Sequence, residues 1–443
     1  MCARPRTSCA GGGLTASVAV IGHGDRALVV LDRTALWAVL LTPLMLLHAH
    51  GIAEGTIAVA DICFLIRCAV TREWAWLRTT WLRIGLVFWA WIVVCSLPIP
   101  ALGLGEGGRP SLVQGVVMVR FLVLIAAMEH AILRDPNPRR WFGWAITASA
   151  AYIAGQAIIQ FVFGRNLYGD PIGSDGVLSG PFGKPRAGPP MARVLFPALV
   201  PPVAALLRRP GIGSVIGGYA LLLVGVAVMV LIGQRMPLLL TVLGIVVVAL
   251  LLRPLRPAMV VAGVVAAVVL ASSPVIAPKV YYRLVERFSN QMENFSTTQY
   301  GELYARALEI GVQKPITGLG MDGFRYGCPE SRYFRPSFDG RAADGGGAVI
   351  CWHHPHNYYF EALDDGGFVG LALFCALVFA WLAAMGRSLR QKPRPVLVGL
   401  FAAAVIQLWP IASTTGFYTL PVAGWSFLLL GWGMAEARWG RDD

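Results

Sequence analysis

The segment His353-His354-Pro355-His356-Asn357 gathers three of the seven histidines of the chain into five consecutive residues. It ends a long polar stretch, and an apolar run begins shortly after it. An imidazole that titrates near neutral pH can take a proton from a hydroxyl group or hydrogen-bond an anion. These residues therefore indicate a reactive or ligand-binding site at the point where the chain re-enters a membrane. A zinc site on the histidines is less favoured, because His354 and His356 flank a proline and no carboxylate or cysteine set is fixed nearby.

Basic residues at other membrane boundaries could bind an anionic ligand, since arginine holds phosphate oxygens through a planar, charged fork. Arg235 stands in a connection of a few residues between two apolar segments, so its side chain stays at the boundary. Lys184 and Arg186 lie in a polar segment that leads into the next apolar run, with Arg193 close behind. The alternatives are an interfacial anchor for Arg235 and a lipid-contacting basic loop for the others. Arg120 lies inside an apolar segment, where a charge indicates function, but its role is unassigned.

The composition identifies a polytopic membrane protein. Hydrophobic residues make up 56% of the chain and charged residues only 14%, and the mean hydropathy is +0.63. A soluble domain carries roughly 25% charged residues. The first thirty residues lack a compact apolar core followed by a small-residue cleavage site, so a removable signal peptide is not expected.

The apolar segments predict an all-α integral membrane fold of about twelve transmembrane helices with one large periplasmic loop subdomain, since roughly 17 to 25 residues cross the hydrocarbon core. The predicted organisation is a cytoplasmic tail (1–33), a membrane domain of about nine spans (34–276), a periplasmic loop subdomain (277–366), three last spans (367–435) and a second cytoplasmic tail (436–443). The predicted spans are 34–50, 51–70, 84–102, 111–132, 141–163, 191–207, 212–232, 236–252, 257–276, 367–386, 396–413 and 415–435.

The orientation follows from lysine and arginine, which stay on the cytoplasmic side of short loops. With both ends inside, every inner loop is basic, and the 277–366 segment lies outside, in the periplasm of a Gram-negative cell. The net charge of +13 then reflects topology, so nucleic acid is a poor candidate partner.

Two cysteines, Cys328 and Cys351, lie in the predicted outer loop. An oxidising compartment would permit a disulfide, but spacing alone leaves their pairing open. Within the same loop, Gln299 to Val312 has the apolar spacing of a modestly amphipathic helix. Residues 321–350 have the composition of an irregular loop, and a loop of that length is usually functional or disordered.

Together these residues resemble the O-antigen ligase and polymerase superfamily of bacterial envelope glycosyltransferases. The ligase pattern of His, then Asn, Ser or Gln, nine residues and Gly-x-x-Gly is matched by His356, Asn357, Gly367 and Gly370. The Thr-Arg pair that closes the pattern in some ligases is Leu371-Ala372 here, which weakens the choice of ligase over polymerase. The resemblance covers roughly residues 180–435 and includes Gly233-Gln234-Arg235, Arg306 with the turn from Pro315 to Gly320, and Trp409-Pro410.

The resemblance implies transfer of a glycan from undecaprenyl diphosphate to a sugar hydroxyl of an acceptor such as lipid A-core, at the periplasmic face of the bacterial inner membrane, with inversion of the anomeric configuration. It implies catalytic roles for His356, Arg235 and Arg306. Substrate-binding roles are expected for Lys184, Arg186, Arg193, His354 and Asn357. The expected partners are the carrier-linked glycan, the acceptor and membrane lipid. Arginine is expected to neutralise the diphosphate, so no metal or other cofactor is predicted.

Three alternatives remain open. A polymerase of the same superfamily would transfer one carrier-linked glycan onto another, and a protein-glycosylating member would use a serine or threonine. A transporter or flippase also fits twelve spans. Transporters usually place their site near the midplane, where this chain has few charges beyond Asp61 and Arg120, so the enzyme is favoured.

Overall fold

The computed structural model describes residues 23–184, 187–276, 278–337, 340, 342–411, 416–420 and 422–440, with the side chains of the first helix described from Arg26 onward. The described residues are helical and contain no β-strand, apart from an isolated bridge between Arg165 and Pro171. The prediction of an all-α fold is therefore confirmed.

Seventeen α-helices are found in the described part of the chain. In chain order they are α1 (His23–His48), α2 (His50–Thr71), α3 (Thr80–Cys95), α4 (Gly108–Val117), α5 (Val119–Ala127), α6 (Pro136–Phe163), α7 (Gly188–Arg208), α8 (Ile212–Ile232), α9 (Arg235–Leu251), α10 (Arg256–Ile276), α11 (Pro278–Tyr281), α12 (Arg287–Glu293), α13 (Gln299–Gln313), α14 (Gly323–Gly327), α15 (Tyr358–Gln391), α16 (Pro395–Gln407) and α17 (Val422–Trp439).

Seven helical segments in the described residues are long and apolar enough to cross a membrane by length and composition. They are Arg26–His48, Gly108–Ile132, Pro136–Phe163, Gly188–Arg208, Ile212–Ile232, Arg253–Ile276 and Tyr358–Gln391. Helices α3, α9 and α16 are apolar but shorter. Each of the twelve predicted spans falls on a helix, but the twelve-span topology itself stays a prediction.

Several predicted boundaries differ from the observed helices. The span expected over 84–102 belongs to α3, which ends at Cys95. Pro98 and Pro100 follow closely, and proline disfavours helical conformation in the residue before it. Helix α1 begins at His23, ahead of the predicted start of the membrane domain at residue 34. The span predicted from 367 is the second part of α15, which is kinked at Gly367.

One large hydrophobic core joins the long helices. Helix α7 packs on α16, and α15 packs on α3. At the end of the bundle that carries the C-terminus of α17, buried ion pairs connect the helix ends. The Glu436 carboxylate lies 2.9 Å from a guanidinium nitrogen of Arg394 and 3.4 Å from one of Arg139. The Glu129 carboxylate accepts hydrogen bonds from Arg438 and Trp81.

The segment from 277 to 357 has a smaller hydrophobic cluster of its own, built from Leu303, Ala307, Ile310, Leu319, Phe324, Cys328 and Tyr333. The predicted helix over Gln299 to Val312 is confirmed by α13, whose N-terminus is capped by the Thr298 hydroxyl. Cys328 and Cys351 form a disulfide with their Cα atoms 5.8 Å apart, which answers the pairing that spacing left open. The described part of 321–350 is mostly turns and irregular structure, in agreement with the predicted irregular loop, with short helical pieces at α14 and Ser331–Tyr333.

Candidate active site

The histidine segment is fixed at both of its ends. Cys351 is bound to Cys328 through the disulfide on one side. On the other, the Asn357 side chain caps α15 by accepting hydrogen bonds from the backbone nitrogens of Tyr359 (2.9 Å) and Phe360 (3.3 Å). An asparagine at this position satisfies amides that have no partner within the helix. Residues 352–356 therefore form a short loop with two anchors, and His356 is its last residue.

Asn357 also connects this loop to Pro410, which follows α16. Its side-chain amide donates a 2.7 Å hydrogen bond to the Pro410 carbonyl, and the residue is only 4% exposed. The Tyr304 hydroxyl bonds to the same side chain, and burial raises the pKa of that tyrosine. Asn357 was expected to bind substrate. The structure instead places its polar atoms in contacts with the protein.

The two glycines of the sequence pattern have separate structural reasons. Gly367 has φ 64° and ψ −165°, a conformation essentially confined to glycine. A Cβ there would lie 2.4 Å from the Ile316 carbonyl oxygen, and a Cβ at Gly370 would lie 2.9 Å from the Ala362 carbonyl oxygen. The nine residues of the pattern are thus one helical arm, 358–366, set between the cap at Asn357 and the kink at Gly367.

His356 has φ 58°, a left-handed conformation that is uncommon outside glycine. Its ring is partly exposed and is surrounded by aromatic rings. The ring centroids of His354, Tyr300 and Trp352 lie 4.5, 5.6 and 6.1 Å away, each in an edge-to-face arrangement. His353, by contrast, is exposed. Of the three histidines, His354 and His356 are thus in ring contact.

A cluster of three arginines lies near Tyr300. Arg235, the first residue of α9, hydrogen-bonds the Gln291 side chain and is close enough to Arg283 and Arg287 for electrostatic repulsion. It also interacts electrostatically with Tyr300. Sequence reasoning missed Arg283 and Arg287. Their i, i+4 spacing just after an apolar span was the available signal.

Arg283 is held in place by an ion pair with Asp175 from the 164–184 loop. A hydrogen bond from the Ser174 hydroxyl, with the positive charges of Arg283 and Arg287, keeps the pKa of Asp175 below its usual value. Arg287 is exposed. The cluster therefore combines a fixed cation with an accessible one.

Helices α7 and α9 approach each other at their N-termini, and α7 contacts the first residue of α15 through a side chain. A Cβ at Gly188, the first residue of α7, would lie 2.0 Å from Oε1 of Gln234, the residue before α9. One turn into α7, Arg193 donates a 2.9 Å hydrogen bond to the hydroxyl of Tyr358, the first residue of α15. Arg193 is buried, and it also donates to the Pro189 carbonyl and the Ser426 hydroxyl.

The N-terminus of α13 is linked to His356 and Arg235 through Tyr300. Tyr300, in the first turn of α13, contacts the His356 ring and interacts electrostatically with Arg235. Each helix N-terminus carries a partial positive charge, which typically favours a nearby anion by about 0.3 to 1 kcal/mol. The N-termini of α7 and α9, which approach at Gly188 and Gln234, form an electropositive region with Arg235, Arg283 and Arg287 that suits a phosphate-bearing ligand.

Arg306 lies elsewhere. It is two residues from Tyr304 on α13, so the two side chains point to nearly opposite faces of the helix. Its guanidinium is 3% exposed and donates to the carbonyl oxygens of Cys328, Asp344 and Gly347. Its Cζ atom lies 4.2 Å from the centroid of the Phe334 ring, and burial lowers the pKa of this arginine. Arg306 thus holds the 328–347 loop together.

Of the remaining predicted site residues, Lys184 is exposed, and Arg186 lies outside the described residues. The structure places His354 in ring contact with His356 and links Arg235 to His356 through Tyr300. Arg193 contacts Tyr358, next to Asn357, while Arg306 is buried in the segment between α12 and α15.

Three carboxylates on the helical arm were also missed as a group, although their i, i+3, i+4 spacing is readable. Glu361 accepts a 2.8 Å hydrogen bond from the Phe417 amide, and Asp365 accepts one of 2.8 Å from the Gly323 amide. Asp364 is fully buried, and its carboxylate oxygens have no hydrogen-bond partner. Across the described ranges, no group of three or more His, Cys, Asp or Glu side chains is arranged to hold a metal ion.

Comparison with known families matches the chain from α8 into α15. A family model described as O-antigen ligase matches residues 220–375. The matched region contains Arg235, Arg306, His356 and both glycines of the pattern. A search of the curated proteins gave no match.

The match over residues 220–375 confirms the resemblance to the O-antigen ligase and polymerase superfamily. The match supports a ligase- or polymerase-like glycosyltransferase in a multi-pass membrane protein.

Proposed function

We propose that this protein is an inner-membrane glycosyltransferase that moves a glycan from undecaprenyl diphosphate to a sugar hydroxyl of an acceptor such as lipid A-core. The observation that carries the proposal is the cluster of Arg235, Arg283 and Arg287, which is linked to His356 through Tyr300. A lipid diphosphate leaving group carries at least two negative charges in a poorly solvated zone. It therefore needs fixed positive charge that is present before the reaction begins.

In the proposed reaction, Arg235 binds the diphosphate, and Arg283 and Arg287 supply further charge. His356 accepts the proton of the acceptor hydroxyl. The acceptor oxygen forms a bond to the anomeric carbon as the bond from that carbon to the diphosphate oxygen breaks. Because attack and departure occur on opposite faces, one step inverts the anomeric configuration. The electron pair of the broken bond stays on the diphosphate, beside the arginines.

The other residues act through position in this proposal. Asn357 fixes the start of α15 and hence the backbone of His356. Arg193 holds the Tyr358 side chain through a hydrogen bond to its hydroxyl. Arg306, expected to be catalytic, positions the loop between Cys328 and Cys351, because its donors are directed at backbone carbonyls. The disulfide supports a periplasmic site, since such bonds persist in oxidising compartments.

The test uses the full-length protein in detergent micelles, with carrier-linked glycan and lipid A-core as substrates. We expect His356→Ala to lower turnover by about 10² to 10⁴, the range for a lost general base, with carrier binding little changed. Arg235→Ala should abolish transfer, and Arg235→Lys should restore it only in part, because lysine lacks the bidentate fork.

The chain offers matched controls. His48 is an exposed histidine at the end of α1 that contacts Tyr152, and Arg165 is an exposed arginine in the 164–184 loop. His48→Ala and Arg165→Ala should retain transfer. His354→Ala should cost less than His356→Ala. Full activity in His356→Ala, or activity abolished by EDTA, would overturn the assigned role of the imidazole.

The choice between ligase and polymerase rests on the acceptor. In a deletion strain, accumulation of carrier-linked glycan with loss of capped lipopolysaccharide chains identifies a ligase. Caps limited to one repeat identify a polymerase.

A further inference from the structure

Two large aromatic side chains beside His356 remain open to solvent. Trp352 is 53% exposed and Tyr300 is 41% exposed, yet both rings contact the His356 ring. Exposed aromatic surface that adjoins a reactive group usually marks a binding surface. Neither residue is required by the proton transfer or the diphosphate contacts described above.

The exposed position of Trp352 is maintained by the fold. It directly follows Cys351, whose disulfide anchors the chain, and Asn357 anchors the other end of the same loop. Tyr300 is likewise fixed in the first turn of α13, just after the Thr298 cap. Two rigid ring faces are therefore presented at fixed places around the histidine, and a rigid aromatic loses little conformational entropy on binding.

A pyranose ring fits such a surface. Its axial C–H groups form an apolar face, and its hydroxyls project from the edge. The C–H face packs on the negative face of an aromatic ring, which leaves the hydroxyls free to reach a neighbouring proton acceptor. Either substrate of the proposed reaction could supply that sugar.

The position of each ring relative to the arginine cluster separates the two substrates. Tyr300 contacts the His356 ring and also interacts electrostatically with Arg235, whereas Trp352 contacts the His356 ring alone among these groups. An inverting attack places the incoming sugar on the side opposite to the leaving diphosphate. We propose that Trp352 is the stacking platform for the acceptor sugar, and that Tyr300 packs against the carrier-linked sugar next to the diphosphate. This inference rests on the proposed function.

The test measures Trp352→Ala and Tyr300→Ala in the same transfer assay, with the concentrations of carrier-linked glycan and of lipid A-core varied in turn. Loss of one stacked aromatic contact should cost about 3- to 10-fold in affinity. Trp352→Ala should raise the KM for lipid A-core by that factor and leave the KM for carrier-linked glycan unchanged. Tyr300→Ala should do the reverse, and Tyr300→Phe should behave as wild type.

Trp352→Phe and Trp352→Leu test whether the flat ring is what matters. Phenylalanine should restore most of the acceptor KM. Leucine has apolar area but no ring face, so it should not. Restoration by leucine would show that Trp352 is an interfacial membrane anchor and would overturn the platform. A rise in both KM values from either alanine variant would overturn the division between the two sugars.

Tyr168→Ala is the matched control, because this exposed tyrosine contacts His48 rather than His356. It should leave both KM values unchanged. Failure of the platform leaves wild-type transfer intact. Failure of the proposed function would instead appear as no transfer by the wild-type protein.

Discussion

Removal of the Cys328–Cys351 disulfide should loosen the histidine loop without unfolding the membrane helices. The bridge joins residues 23 positions apart, and closing a loop of that length stabilises the closed form by about 3 kcal/mol in the chain-entropy model. That free energy corresponds to roughly a 100-fold change in a local opening equilibrium. The effect is confined to the outer loop, because the large core that joins the long helices does not include these cysteines.

The perturbation is the double variant Cys328→Ser/Cys351→Ser. Hydrogen exchange should show faster opening of α14 and of the 328–351 loop, with α7 and α16 unchanged. Transfer should fall, because Trp352 and His356 lose one of their two anchors. Cys375→Ser, which removes an exposed free thiol from α15, is the control and should change neither measurement.

The bridge itself is checked by alkylating the denatured protein before and after reduction. Eight cysteines are present in the sequence, so about six should react before reduction if one bridge exists. Reaction of all eight would refute the reasoning at its first step. A bridge that forms but whose removal leaves exchange and transfer unchanged would refute the claim that it fixes the active loop.

The remaining predictions concern the arm of α15. Gly367→Ala should lower stability by about 1 to 3 kcal/mol from backbone strain alone, with a further loss from the contact with the Ile316 carbonyl. Thermal unfolding in detergent measures this loss of stability. The control is Gly386→Ala in the same helix, which should cost nothing because the added Cβ would meet only one atom, of Phe401, at 3.9 Å. Asp364→Asn should be as stable and active as wild type, because a buried carboxyl without partners is held neutral by a proton. A markedly lower melting temperature for Asp364→Asn would show instead that this group is ionised and paired.

Local sequence signals predicted the helices and the histidine loop well. Apolar run length located each long helix, whereas residues 358–366, predicted as the end of the loop subdomain, form a helical arm between the Asn357 cap and the kink at Gly367. Such features depend on residues close in sequence, so their physics is readable from one segment. The predicted C-terminal end of α3 was wrong because apolar residues continue past Cys95, while the prolines that follow end the helix.

Contacts between distant segments could not be predicted in the same way. Arg235 and Arg283 come together only because the α8–α9 turn packs against the chain after α10, where Gly233 lies near Val280. Arg306 shows the opposite case. The helix that carries Arg306 was predicted. The carbonyls that this arginine binds come from turns, and no periodic pattern in the sequence specifies the shape of a turn. A charged residue in an outer loop therefore has no readable role until its partners are known.

The kink at Gly367 lies where α15 is hydrogen-bonded to the 315–320 turn. On the N-terminal side of Gly367, the Asp364 and Asp365 carbonyls accept hydrogen bonds from the Leu319 and Gly320 amides. On its C-terminal side, the Phe368 amide donates to the Pro315 carbonyl. These bonds fix the arm to the outer loop. Membrane helices adjust to lipid thickness by changing their tilt. Because hydrogen bonds hold α15 to the 315–320 turn on both sides of Gly367, we expect the position of His356 to follow that turn rather than the tilt of the rest of α15.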